Sequence, residues 1–455
     1  TDLELADNST LTSNEKLNFD NLNLNNFTLI LGSSDSDLTV ENTITIDAST
    51  EGISTGEADL VLNSALTMSY GLLDSTGGTW VFGGDFVKSS GTLTTAGKSF
   101  AASSSSGLLI TSTAHGLIDT QIIQVSNYGG ALPTGLSTGV DYFVRDKADN
   151  TFKLALTSGG TAIAYTNAGS GTNSWTTNPQ TNLELAGSNI TLTSDEGLSF
   201  VNLNLNDFTL TLGSSTSDLT IQNTITIDAS TEGISTGEAD LISLAPLNIS
   251  NGGVASTGGI VALSGGGQLS GTGALDLSGS TWGLGEDFEK DNGTLTISQT
   301  DLKLDKDLTL TSDEALSFVN LNLNFNTLTL GSSTSDLTVE NAITIGQNTE
   351  GISTGDADLI LNESQTISGE GSITSTGGII SLQEGGRLLG NGILDVSGSI
   401  WTLGNNFTKT SGTLTMLQTT LKLEDNSTLT SDVSLNFENL NLNDFTLTLG
   451  SSTSD

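Results

Sequence analysis

The chain has no cysteine, one histidine, three prolines and twelve lysines plus arginines in 455 residues. Without cysteine, neither a disulfide nor a thiolate metal site can form, and a thiol-free chain suits export to an oxidising compartment. The shortage of positive charge is equally informative. Against the 12 bases stand 52 acids, a formal net charge of −40. Such a surface cannot neutralise a run of phosphates, which argues against nucleic-acid binding, and it disfavours an anionic membrane face for the same reason. No stretch approaches the ~20 apolar residues of a membrane-spanning helix, and no segment sustains the helical periodicity of an amphipathic helix. Aromatics make up only 5%, so the expected core is thin, filled by Leu, Ile and Val and bounded by many turns.

What the sequence has instead is repetition. Asn-Leu-Asn-Leu-Asn, followed by an alternating Thr/Leu run and then Gly-Ser-Ser, opens residues 21–32, 202–213, 320–331 and 439–450. Alternation of apolar and short polar residues is the period-2 mark of a strand with one buried face. The second copy of the motif carries Asp207-Phe208 and the fourth Asp444-Phe445, but the third has Phe325-Asn326. A one-residue shift on a strand would turn the aromatic to the other face, so this position is placed at a corner.

Three aromatic landmarks set the period. Phe19, Phe200, Phe318 and Phe437 share one position, Trp80, Trp282 and Trp401 a second, and Phe86, Phe288 and Phe407 a third. The separation of Trp282 from Trp401 makes the large repeat about 119 residues long, more than the usual solenoid motif. It divides further. Short apolar runs around Leu302, Leu321, Ile343, Leu361, Ile380 and Val396 recur roughly every 20 residues, the size of one solenoid coil. About six such coils make one large repeat.

Two length changes support coils. The stretch from Gly213 to Trp282 and the stretch from Gly331 to Trp401 match almost residue for residue. The equivalent stretch from Gly32 to Trp80 is shorter by one coil, roughly 20 residues. A stacked array can lose one whole coil because the flanking strands then pair with each other. Conversely, Leu302 follows Trp282 by about one coil, whereas the equivalent Leu183 follows Trp80 by roughly five times that length. The extra segment holds His115, Tyr128, Tyr142, Tyr165, Pro133, Pro179 and four of the twelve basic residues. Short strands are predicted in it at residues 108–111, 121–125, 141–144, 151–156 and 161–165.

The predicted fold is therefore all-β: a parallel β-helix (β-solenoid) with coils of about 20 residues and a small inserted β module. Its parts are a first repeat over 1–97, one coil short, the insertion over 98–180, further repeats over 181–300 and 301–419, and the start of a fourth over 420–455. Roughly 19 coils at the strand spacing would make a rod on the order of 90 Å long. Asp455 stands where Leu follows in the earlier copies (Leu38, Leu219, Leu337), so the array is expected to continue.

Runs such as Leu337-Thr338-Val339-Glu340-Asn341 and Gly377-Gly378-Ile379-Ile380-Ser381-Leu382 resemble the shafts of large bacterial surface proteins, namely haemagglutinin-type adhesins and autotransporter passenger domains. That resemblance implies a right-handed helix and an extracellular or cell-surface location. The insertion is similar to a short module of phage tail and bacterial surface proteins, through His115-Gly116-Leu117, Gly129-Gly130-Ala131-Leu132-Pro133, Asp141-Tyr142-Phe143-Val144 and Asn150-Thr151-Phe152-Lys153-Leu154. It implies an accessory module with no chemistry to carry over.

Candidate sites are few. Acids recur at Glu51, Glu57 and Asp59, at Glu232, Glu238 and Asp240, and at Glu350, Asp356 and Asp358. Residues two apart on a strand share a face, so Glu57 with Asp59, Glu238 with Asp240 and Asp356 with Asp358 are candidate Ca²⁺ ligands. The competing reading is a solvated acidic face that keeps the array soluble. No other cofactor is expected. The repeated tryptophans read as core packing ahead of sugar-stacking platforms. His115 has no second His or Cys to share a metal with. Sequons such as Asn8-Ser9-Thr10 arise by chance in so Asn- and Thr-rich a chain.

A non-catalytic structural role follows as the expectation, because these acids repeat whereas a catalytic site is a one-off. Basic residues for a lyase are sparse (Lys303, Lys306, Arg145, Arg387). The expected role is a segment of an extracellular fibre, stalk or adhesin shaft. Its partners would be adjoining repeats or further copies of itself, with surface glycans or other cells as targets. The alternative is a carbohydrate-binding or depolymerising β-helix of tailspike type.

Overall fold

The computed structural model describes all residues except 76, 95–97, 103–108, 113–121, 129–130, 138–139, 141, 149–150, 158, 166, 171, 178–180, 347–349 and 451–455. The described residues contain strands, turns and no helix. They form a parallel β-solenoid in which each strand stacks on the equivalent strand of the next coil. The chain divides into two compact units, residues 1–187 with 198–204, and residues 188–197 with 205–455.

In the second unit one column of inward residues runs Leu219, Leu241, Val261, Trp282, Leu302 and Leu321, each paired in parallel with the next. Each step along the column is one coil of the chain. The first five of these residues are fully buried. Alternation explains the column: every second residue of a short strand points inward, and near-identical strands stacked in register place Leu on Leu. The outward residues form polar ladders. The Asn341 amide donates to Asn320 Oδ1 at 2.9 Å, and the Asn320 amide donates to Asp301 Oδ1 at 2.7 Å.

The first unit uses the same plan with one step fewer. Leu38 stacks on Leu60 and Leu60 on Trp80. In the second unit the corresponding passage from Leu337 to Trp401 takes three steps, through Leu359 and Ile380. The strand Thr79–Phe82 then pairs directly with Asn182–Leu185. The chain thus leaves the coil and returns to the next rung without breaking the stack.

Between departure and return lies a closed antiparallel barrel of six strands, Lys98–Ala102, Ile110–Thr111, Ile122–Tyr128, Tyr142–Ala148, Thr151–Ala155 and Thr172–Thr177. Its own core includes Phe100, Ile110, Val125, Tyr142, Phe152 and Trp175. The Trp175 indole donates to Ser112 Oγ at 3.0 Å. Residues 161–165, expected as a strand, contribute only an isolated bridge between Ala162 and Ala155. The strands at Lys98–Ala102 and Thr172–Thr177, which bring the chain out and back, are rich in Ser, Asn, Thr and Ala and show no apolar alternation to read.

The Asn-Leu-Asn-Leu-Asn stretch ends in a corner. Asn25-Asn26, Asn206-Asp207, Asn324-Phe325 and Asn443-Asp444 all have positive φ, between 47° and 69°. Asn and Asp tolerate this left-handed conformation and a bulky aromatic does not. Phe325, at φ 68° and half exposed, is the strained copy. Phe325→Asp restores the residue of the second and fourth copies and is expected to stabilise the protein by about 1 kcal/mol, read as a rise in the urea midpoint. After each of the first three corners, serines of the Gly-Ser-Ser stretch tie the coils together. Ser332 Oγ donates to Ser312 O at 3.0 Å, and Ser312 N donates to the buried Ser335 Oγ at 2.8 Å. A Cβ on Gly331 would fall on Thr311 Oγ1 of the preceding coil, so a larger residue at this strand end would have to push that threonine aside.

Candidate functional site

The recurrent acids are the leading candidates from sequence, and the structure gives six of the nine main-chain duties. Glu51 is buried, and its two oxygens accept from Asp47 N at 2.9 Å, Ala48 N at 3.2 Å and Asn26 N at 3.1 Å. Glu232 repeats the arrangement with Asp228 N at 3.0 Å, Ala229 N at 3.2 Å and Asp207 N at 3.4 Å. Glu350 accepts from Gly346 N and Phe325 N. Glu51 and Glu232 each close their own turn, and all three glutamates clasp the left-handed corner of the preceding coil, satisfying backbone donors that the strands leave over.

The aspartates form a second ladder at another corner. Asp240 N donates to Asp218 Oδ1 at 2.9 Å, and Ile260 N donates to Asp240 Oδ1 at 2.7 Å. Asp336, Asp358 and Ile379 repeat it at 2.8 and 2.7 Å, as do Asp37, Asp59 and Thr79 at 3.0 and 2.8 Å. Burial pushes the Asp358 carboxyl up, more than the hydrogen bond from Ile379 pulls it down, and the neighbouring Asp336 adds to the rise. Asp218 is likewise pushed up by burial, which outweighs the downward pull of the hydrogen bond from Asp240 N, while the Asp240 charge adds to the rise.

Glu57, Glu238 and Asp356 do not share a strand face with Asp59, Asp240 and Asp358. Each is an exposed turn residue directly after a glycine of φ 58° (Gly56, Gly237, Gly355). The two-residue spacing therefore spans a turn, and the strand argument for paired ligands does not apply there. Among the described residues there is no group of three or more His, Cys, Asp or Glu side chains placed to share a metal ion. His115 lies outside the described residues.

The tryptophans are interior. Trp80, Trp282 and Trp401 are at most 1% exposed, so no face is offered to a sugar. The Trp282 ring meets Phe288 edge-on at 4.9 Å and Phe318 at 6.1 Å, and Trp401 meets Phe407 at 5.1 Å and Phe437 at 6.2 Å. The three landmark positions of the sequence thus converge into one aromatic cluster per repeat.

Sequence reasoning missed the lysines. Lys88, Lys290 and Lys409 are 2–3% exposed. Each sits two residues after the landmark Phe and stacks on an inward apolar residue, Met68, Leu269 and Leu388 respectively. Lys290 Nζ contacts Asp313 Oδ1 directly and Glu314 Oε1 at 3.2 Å, and Lys409 Nζ contacts Asp432 Oδ1 directly. The signal is present as Phe-Val-Lys, Phe-Glu-Lys and Phe-Thr-Lys at one repeat position. Reading bases as scarce surface charges hides it, because a lysine stem can line a core while only its tip is polar.

The Lys409 hydrogen bond holds the Asp432 carboxyl below the usual range. A depressed carboxyl contributes stability that is present at neutral pH and lost as pH falls through the folded value. Asp432→Ala should therefore lower the urea midpoint at pH 7, with the difference shrinking in acid. Lys409→Met should cost less than Asp432→Ala, because it refills the stem and strands no charge.

Of the bases considered for catalysis, the two solenoid lysines occupy ordinary surface pairs. Lys303 meets Asp305 at 3.0 Å and Lys306 meets Glu286 at 2.5 Å. Arg145 lies in the barrel, bonded to Gly160 O and paired with Asp146 at 3.5 Å, while Arg387 is exposed on the solenoid. A shallow groove in the second unit is lined by Asp287, Asp307, Thr309, Thr327 and Thr329. Asp287 and Asp307 each spend one oxygen on a backbone donor there, Thr309 N at 2.6 Å and Thr327 N at 2.7 Å. Comparison with protein-family models, curated protein sequences and solved structures gives no match.

Proposed function

We propose that this chain is a non-catalytic segment of a long extracellular fibre, stalk or cell-surface adhesin shaft. The observation that carries the reading is the reuse of one set of side chains, repeat after repeat, for stacking. Glu51, Glu232 and Glu350 clasp corners, Asp218 with Asp240 and Asp336 with Asp358 cap turns, and Trp282 and Trp401 fill the interior. Residues committed to main-chain donors in every repeat support load along a stack, since each added coil extends the same hydrogen-bond and side-chain ladders. The exposed acids limit lateral clumping by like-charge repulsion. The barrel, with its separate core, serves as the projecting part that meets a partner such as a surface glycan or another cell.

Electron microscopy of the purified chain should show elongated particles, and a compact globule would sink the reading. Deleting residues 98–180 separates the two roles, since the strand Thr79–Phe82 already pairs with Asn182–Leu185. The expected outcome is intact elongated particles that have lost adhesion to cells. Persistence of adhesion would move the binding role to the solenoid. Release of reducing ends from a panel of bacterial polysaccharides would instead favour the depolymerase reading.

A further inference from the structure

A shaft needs no amine in its interior, yet the Lys290 side chain is buried and its tip meets two half-exposed carboxylates. We propose that Lys290 and Asp313 join through an intramolecular amide bond, with Glu314 as the proton relay, so that neighbouring coils of the second unit are stapled covalently.

Four groups meet at this point. The nucleophile is Lys290 Nζ, at the end of a buried stem that lies between Leu269 and Ser312 of the adjoining rungs. The electrophile is the Asp313 carboxyl, whose Oδ1 it already touches. Asp313 Oδ2 accepts from Asn292 N at 3.0 Å, which fixes the carboxyl plane and sets an N–H where negative charge develops in a tetrahedral intermediate. The fourth group is Glu314, whose Oε1 lies 3.2 Å from Nζ on the same amine. Burial pulls the Lys290 amine down, but its bonds to Asp313 and Glu314 outweigh this and hold it up, and Asp313 is held low by Lys290. The resting state is therefore the ion pair, and reaction proceeds through the small neutral population.

The step balances without a co-reactant. A proton passes from Nζ to the carboxyl oxygen that will leave, the amine lone pair forms the N–C bond at Cγ, and charge collects on Oδ2 facing Asn292 N. Glu314 takes the second proton from nitrogen and delivers it to that leaving oxygen. The C–O bond breaks, one water departs through the exposed side of Asp313, and a neutral secondary amide remains. Nothing is oxidised or reduced. Fixing both groups in contact replaces a bimolecular encounter with a high effective concentration. At Lys409 and Asp432 the residue in the place of Glu314 is Val433, so that pair lacks the relay and is expected to stay an ion pair.

The test is the denatured intact mass of the full chain after incubation at neutral pH. The expected result is a loss of one water, with a branched proteolytic peptide linking Lys290 to Asp313. Lys290→Arg should keep the charge and abolish the loss, and Glu314→Gln should slow it roughly a hundredfold. An unchanged mass, or a lost water mapped to other residues, overturns the proposal. An unaltered rate in Glu314→Gln overturns the relay. Because the decisive measurement is made on the parent chain, a variant that fails to fold does not spoil it.

Discussion

Trp282→Ala should be the most damaging single change in the second unit, costing about 3–5 kcal/mol. The ring is fully buried and bridges Phe288, which follows it closely in the chain, to Phe318, which lies beyond the next rung. Its removal opens a cavity that Leu302, stacked directly on it, is too small to fill. Trp282→Phe separates volume from polarity. The Trp282 Nε1 atom is buried with no hydrogen-bond partner, so phenylalanine loses part of the packing and discards an unsatisfied donor, for a net cost of about 1 kcal/mol. Urea unfolding of the three proteins decides the matter. Equal losses for Phe and Ala would mean that the indole nitrogen matters more than the ring.

Glu51→Ala is expected to cost about 3 kcal/mol. The side chain accepts from three backbone N–H groups on two coils, and alanine leaves all three without their acceptor. Glu51→Gln keeps one oxygen and should lose less. Glu232→Ala should also lose less, because Glu232 is more exposed and its bond to Asp207 N is 3.4 Å long. Hydrogen exchange at Asn26, Asp47 and Ala48 should accelerate in Glu51→Ala while that at Leu29 and Ile53 stays slow. Uniform acceleration would show that the corner does not open by itself.

Glu51 also shows where sequence reading stops. Its recurrence at Glu232 and Glu350 is visible, but recurrence alone does not distinguish a ligand cluster from a structural clasp. That distinction depends on which backbone donors a corner leaves unpaired, and one donor of each set lies on another coil, a full turn of the chain away. Glu57 and Asp59 make the same point from the other side. Spacing of two means one face only on a strand, and Gly56 turns the chain directly before them. Phe325 is more legible, because a misplaced aromatic among four near-identical copies can be accommodated only at a corner.

The sequence by itself determined the all-β class, the coil length and the rung missing from the first repeat. Period-2 alternation and a fixed repeat length are local properties that stacking merely copies. Only the tertiary structure decided what the polar residues do. It turned the acids into caps for neighbouring coils, buried three lysines along apolar columns and set one of them against Asp313 and Glu314. In a solenoid such partners lie about one coil away in sequence, so a residue's role is set by what stacks on it and not by its flanking residues.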